Sequence, residues 1–170
     1  GDRSAKHLLL VPAEVTLAAG AKQAFTMQAF DSAGQSVTAG KGKYSVEGPG
    51  AIDAEGNLVI PDDAPASIAT VTVKMGDLVS QSRVRIMRQL PREYTWDDKP
   101  EIPATRAGVP PRLSVRDAGG SPALVCAASG EGVTVTRCWI GPSNLRNYTL
   151  QADVRATAVD ALSRSYRVIV

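Results

Sequence analysis

Catalysis at neutral pH needs a titratable base beside a nucleophile, and this chain of 170 residues has one histidine, His7, near its start. His7 sits in the apolar run His7–Val11, and a Ser-His-Asp arrangement would have to be built on it alone. The two cysteines, Cys126 and Cys138, and that histidine do not make the four-ligand cluster a structural zinc requires. No glycine-rich phosphate loop leads into a helix. Adjacent carboxylates occur at Asp62-Asp63 and Asp97-Asp98. Neighbours on a strand point to opposite faces, so neither pair can flank one glycosidic bond as two positioned carboxyls would. The spaced Asp-x-Asp-x-Asp-Gly pattern of a calcium loop is absent, and both pairs read as turn formers. The residues therefore point to no catalytic group, no metal site and no cofactor.

Aromatic side chains are the remaining candidates, because a ring face can stack on the apolar face of a pyranose. Tyr94, Trp96, Trp139, Tyr148 and Tyr166 all fall in the second half of the chain. Tyr148 and Trp139 share strand faces with apolar neighbours and read as core. Tyr94 and Trp96 lie in a proline-rich stretch, where a ring either anchors the stretch onto a sheet or faces a ligand. Tyr94, Trp96 and Trp139 are the candidate ligand-binding residues. Asn147-Tyr148-Thr149 also matches the glycosylation acceptor pattern.

The elements that must hold these residues are strands. Period-2 alternation recurs between Gly, Pro, Asn and Asp clusters about every ten residues, the pattern of a β-sandwich. Leu8–Val11 and Glu14–Leu17 form a first strand broken by Pro12. Gln23–Phe30 comes next, with Phe25, Met27 and Ala29 on one face, then a turn at Asp31-Ser32-Ala33-Gly34. Lys43–Val46 is short, and residues 52–58 read as strand, turn, strand. Ala69, Val71, Val73 and Met75 point inward from one long strand, and Val84 and Ile86 from the next, with Arg83 and Arg85 outward. Five prolines between Leu90 and Pro111 mark a linker or strap, since proline cannot serve a central strand. Beyond it, strands are expected at Leu113–Arg116, Ala123–Ala128, Val133–Ile140, Tyr148–Thr157 and Tyr166–Val170. The chain thus divides into a sandwich over residues 1–89, a strap over 90–111 and a second β unit over 112–170.

Composition sets the chemistry of the core and excludes some partners. Apolar residues make up 44% but aromatics only 5%, so small and β-branched side chains must fill the interior. The net charge of +2 argues against nucleic acid. Up to Met87 there are 8 Lys and Arg against 9 Asp and Glu; from Arg88 onward, 11 against 8, nearly all arginine. No run approaches the ~20 apolar residues of a membrane-spanning helix. A start at Gly1 rather than Met reads as a processed or trimmed chain. Val170 ends the chain inside an apolar strand, and five strands are few for a closed sandwich. The second unit is therefore expected to be incomplete, or completed by a partner.

Two stretches resemble known families. Val11-Pro12, Val15-Thr16-Leu17, Gly20, Gln23-Ala24-Phe25, Ala29-Phe30-Asp31, Gly34, Gly50-Ala51-Ile52-Asp53, Gly56-Asn57-Leu58 and Val71-Thr72-Val73 resemble a bacterial immunoglobulin-like domain. The run from Trp139-Ile140-Gly141-Pro142-Ser143-Asn144 through Tyr148-Thr149-Leu150-Gln151-Ala152-Asp153-Val154-Arg155 to Thr157 is similar to a second group. It is the C-terminal region of bacterial proteins with a quinoprotein-like (PQQ-binding-like) β-propeller followed by immunoglobulin-like and jelly-roll units. The wording is also similar to laminin-G/concanavalin-like sandwiches that accompany glycan-acting proteins. Nothing reads as propeller blades, so the resemblance carries no quinone cofactor to this chain. It implies an all-β accessory region, an N-terminal immunoglobulin-like sandwich and a partial jelly-roll unit, in a periplasmic, secreted or cell-surface protein. The function expected is a non-catalytic structural or interaction module docking to a protein partner or to the rest of a larger protein. The alternative is a carbohydrate-binding module.

Cys126 and Cys138 flank the turn Ser129-Gly130-Glu131-Gly132, so a hairpin folding there brings them opposite each other. They either form a cross-strand disulfide or remain two small hydrophobes, and a persistent disulfide belongs outside the cytoplasm. Intact mass after alkylation is expected to show no label on the oxidised chain and two after reduction; labelling before reduction would remove the disulfide.

Overall fold

The computed structural model describes residues 3–97, 102–106, 113–126 and 145–155 of an all-β, sandwich-type protein, with no helix among them. Pro12 dictates the first topological decision. A proline has no N–H to give a ladder, so the apolar run cannot continue as one paired strand. Strand β1 (His7–Val11) pairs antiparallel with β4 (Thr26–Phe30), and after a cis Val11–Pro12 bond β2 (Glu14–Ala18) joins another sheet. There β2 runs parallel to β10 (Leu78–Met87), from Glu14 beside Arg83 to Ala18 beside Met87.

The expected strand Gln23–Phe30 is likewise divided. β3 (Lys22–Ala24) pairs with β8 (Asn57–Val59), β4 turns to β1 and β5 (Ser36–Val37), and Phe25 lies between them. The Phe25 N–H donates to the Gly56 carbonyl at 2.8 Å while its ring is 2% exposed. Burying that large ring contributes roughly 1.5–3 kcal/mol, and the Gly56 carbonyl keeps the Phe25 amide satisfied at the break. Completing the layers are β6 (Lys43–Glu47), β7 (Ala51–Ile52) and β9 (Ser67–Met75). The resulting sheets are β2-β10-β9-β6, β1-β4-β5 and β3-β8-β7.

The core is one cluster fed from these sheets. Leu10, Phe25, Leu58 and Ile60 meet Leu17, Val71, Val73, Val84 and Ile86, all buried. Alternation on β9 and β10 delivers Ala69, Val71, Val73, Val84 and Ile86 inward, as the period predicts. Each large side chain buried there contributes roughly 1.5–3 kcal/mol. Leu10 N–H donates to Ser80 Oγ at 2.9 Å, so a hydroxyl on β10 satisfies an amide of β1 in the other sheet. Ser82, 1% exposed, is the next inward hydroxyl of β10, and its Oγ lacks a partner.

Aspartates shape the turns. Asp31 Oδ1 accepts from the amides of Ala33 and Gln35, each at 2.9 Å. Asp53 accepts from the amides of Glu55 and Asn57 and from Asn57 Nδ2. The Asn57 bonds hold the Asp53 carboxyl below the usual carboxylate range. A lowered value in the fold means that this turn adds stability above the unfolded carboxylate range, and loses it as pH falls through the folded value.

Past the strap, β11 (Leu113–Asp117) and β12 (Pro122–Cys126) form an antiparallel hairpin. Asp117 Oδ1 accepts from the amides of Gly119 and Gly120, and these bonds, Gly120's first, lower its pKa. The expected strand Tyr148–Thr157 is not realised over its described part. Residues 148–155 pair with no strand among the described residues, and all are exposed. Tyr148, expected in the core, is 42% exposed, with Leu150 at 52% and Val154 at 69%. Alternation makes a segment fit to be a strand; only a neighbouring ladder makes it one. The expected strands Val133–Ile140 and Tyr166–Val170 lie outside the described residues.

Two glycines separate strain from crowding. At Gly56, φ is +90°, and a Cβ would lie 2.6 Å from the Phe25 carbonyl oxygen and 3.1 Å from the Tyr44 ring. At Gly34, φ is +75° with nothing within 4 Å. Gly56→Ala is expected to lower stability by about 2–5 kcal/mol, and Gly34→Ala by about 1–2, in urea unfolding. Equal losses would show that crowding at Gly56 is relieved without cost.

Candidate functional site

Where β10 ends at Met87, the chain leaves the sheet and enters the proline-rich strap. Tyr94 and Trp96, two residues apart, are brought together there: their rings stack with centroids 5.6 Å apart and planes 23° from parallel. The geometry requires Trp96 to adopt φ +67°, in the left-handed region. A side chain there costs about 1–2 kcal/mol, and an aromatic pair returns about 0.5–1.5 beyond its buried area. Stacking therefore offsets much of the strain, and Trp96 is half-buried while Tyr94 remains 41% exposed.

Tyr94 also lines a cleft of about 320 Å³ between the end of β10 and the strap. Ala66 and Pro91 give it apolar surface above the buried Met87; Arg88, Arg92 and Glu93 bring charge. Partial burial pushes the Tyr94 phenol above its ordinary pKa, while the Arg92 charge pulls the other way. Arg92 Nε donates to the Arg88 carbonyl, pinning its guanidinium beside Tyr94. Neither Arg88 nor Arg92 forms an ion pair among the described residues.

The other sequence candidates do not join this cleft. Trp139 and Cys138 lie outside the described residues, and Cys126 ends β12 opposite Leu113. His7 is exposed at the start of β1. Asp62 packs its carboxylate against Gly20, where a Cβ would crowd the Asp62 Oδ1. No group of three or more metal-ligating side chains occurs among the described residues. The described residues include no helix long and apolar enough to cross a membrane.

A polar contact that no local sequence signal marks ties the strap down. Arg83 Nη1 bonds Glu14 Oε1 at 3.1 Å, and its Nη2 donates to the Ala104 carbonyl at 2.5 Å. Arg85 Nε faces the same Glu14 oxygen at 3.0 Å, too bent for a good hydrogen bond. A turn closed by Arg106 N–H to the Pro103 carbonyl, 3.0 Å, leaves Thr105 only 3% exposed. By strand alternation alone, Arg83 and Arg85 are ordinary solvent-face charges. Their carboxylate partner is 69 residues from Arg83 in sequence, too distant for any motif to include both.

Compared with protein-family models and with curated proteins, the chain matches no family and no curated relative. The site is therefore read from its own chemistry.

Exposed ion pairs contribute about 0–1 kcal/mol, so the Arg83 latch should govern the strap more than the fold. Arg83→Ala is expected to speed tryptic cleavage at Arg106 several-fold while lowering stability by less than about 1 kcal/mol. Unchanged cleavage would show that the buried Thr105, not Arg83, holds the strap.

Proposed function

We propose that this chain is a non-catalytic structural and interaction module of an extracytoplasmic protein, docking to a polypeptide partner through strand pairing. The observation that carries this reading is the exposed stretch 148–155. Tyr148, Leu150 and Val154 alternate along it, 42–69% exposed, with no ladder partner among the described residues. A segment with alternating apolar residues and no ladder partner pairs readily with a strand from elsewhere. The resemblance to bacterial immunoglobulin-like and jelly-roll units supplies the extracytoplasmic setting. The strand order supports the immunoglobulin-like reading of the first unit: β1, β4/β3, β8 and β7 correspond to A-B-E-D, and β10, β9 and β6 to G-F-C.

A second reading, a carbohydrate-binding module, is favoured by the stacked Tyr94–Trp96 pair beside a cleft. In such modules a ring face supplies the apolar contact and nearby charged groups bond the hydroxyls.

Hydrogen exchange distinguishes a docked strand from a free one. In the isolated chain the amides of residues 148–155 should exchange at unprotected rates, and in the assembly recovered from its source at least about 100-fold more slowly. Equal rates in both, with a monodisperse monomer by light scattering, would overturn the interaction module.

A further inference from the structure

We propose that the cleft between the end of β10 and the strap binds one acidic sugar residue, a hexuronate, with Tyr94 against the ring and Arg92 and Arg88 on the carboxylate. The inference rests on the carbohydrate reading and narrows it to a ligand class.

Size comes first. At about 320 Å³ the cleft lies at the lower end of the ~300–1,000 Å³ range of ligand pockets, enough for one ring rather than a chain of them. Its surface is divided as a pyranose is divided: Ala66 and Pro91 are apolar, Tyr94 is the aromatic residue, and the polar groups are Arg88, Arg92 and Glu93. Stacking on Trp96 supports the Tyr94 ring from one side and reduces its freedom to turn away, so the ring is pre-organised before a ligand arrives.

Charge chooses among sugars. Two guanidinium groups against one carboxylate leave the cleft net positive. Arg92 spends its Nε on the Arg88 carbonyl, which leaves its two terminal nitrogens as the paired donors that suit a carboxylate. Glu93 is a hydrogen-bond acceptor, the complement of sugar hydroxyls. A glutamate-rich peptide would satisfy the arginines but has no ring for Tyr94. The hexuronate uses both.

Calorimetry on the full chain tests this with methyl glucuronide and methyl glucoside, at low and at physiological salt. The glucuronide should bind at least about tenfold more tightly, and the margin should shrink with salt. Arg92→Gln should erase the margin, and Tyr94→Ala should weaken both sugars about tenfold or more. Both side chains lie outside strands, and circular dichroism checks that each variant keeps its sheets. Equal affinity for the two sugars would overturn the acidic specificity while leaving a carbohydrate site. Binding of neither sugar would overturn both readings. Preference unaltered in Arg92→Gln, or a glutamate-rich peptide binding as well as the glucuronide, would also sink the proposal.

Discussion

Strand β10 is hydrogen-bonded on both sides, parallel to β2 and antiparallel to β9, and it anchors most of the remaining fold. Its first half carries Ser80, whose hydroxyl receives the Leu10 amide and ties β1 to the facing sheet. The middle presents Arg83 outward to Glu14 and the strap, and Val84 inward to the core. Its last residue, Met87, is both core and cleft. The inward and outward sets are fixed by the same pleat, so a one-residue slip would exchange Val84 and Ile86 for Arg83 and Arg85 and destroy core and latch together.

The strap depends on that strand in two ways. Arg83 contacts residues 102–106 through the Ala104 carbonyl, and Thr105 in the same stretch is buried. Nearer β10, the Tyr94–Trp96 stack fixes the local course of the strap, with Trp96 in the left-handed region. Backbone strain of this kind persists where surrounding contacts over-determine it. The cleft lies beside this strained residue rather than in the rigid sheets.

The sandwich was largely legible in the sequence, because its signals are local. Alternation in β9 and β10 named the buried valines and isoleucine, and Asp31 with Gly34 announced its turn. Low aromatic content anticipated a core in which Phe25 is the one aromatic among fully buried side chains of the described residues. The candidate site was legible in part. Tyr94 and Trp96 stood out by composition, but their stacking needs a backbone conformation that residue type does not disclose. Arg88, Arg92 and Met87 were not singled out, since charge beside a proline-rich stretch has many ordinary uses.

Residue type and spacing alone determined the all-β class, the inward faces of β4, β9 and β10 and the break at Pro12, because each follows from period two or from a missing N–H. Tertiary structure decided which sheet each piece joins, why Phe25 leaves its strand, how Glu14 meets Arg83, and that Tyr148, Leu150 and Val154 face solvent. Those outcomes depend on partners far away in the chain. A local pattern states what a segment can bury, and only the assembled neighbours decide whether it does.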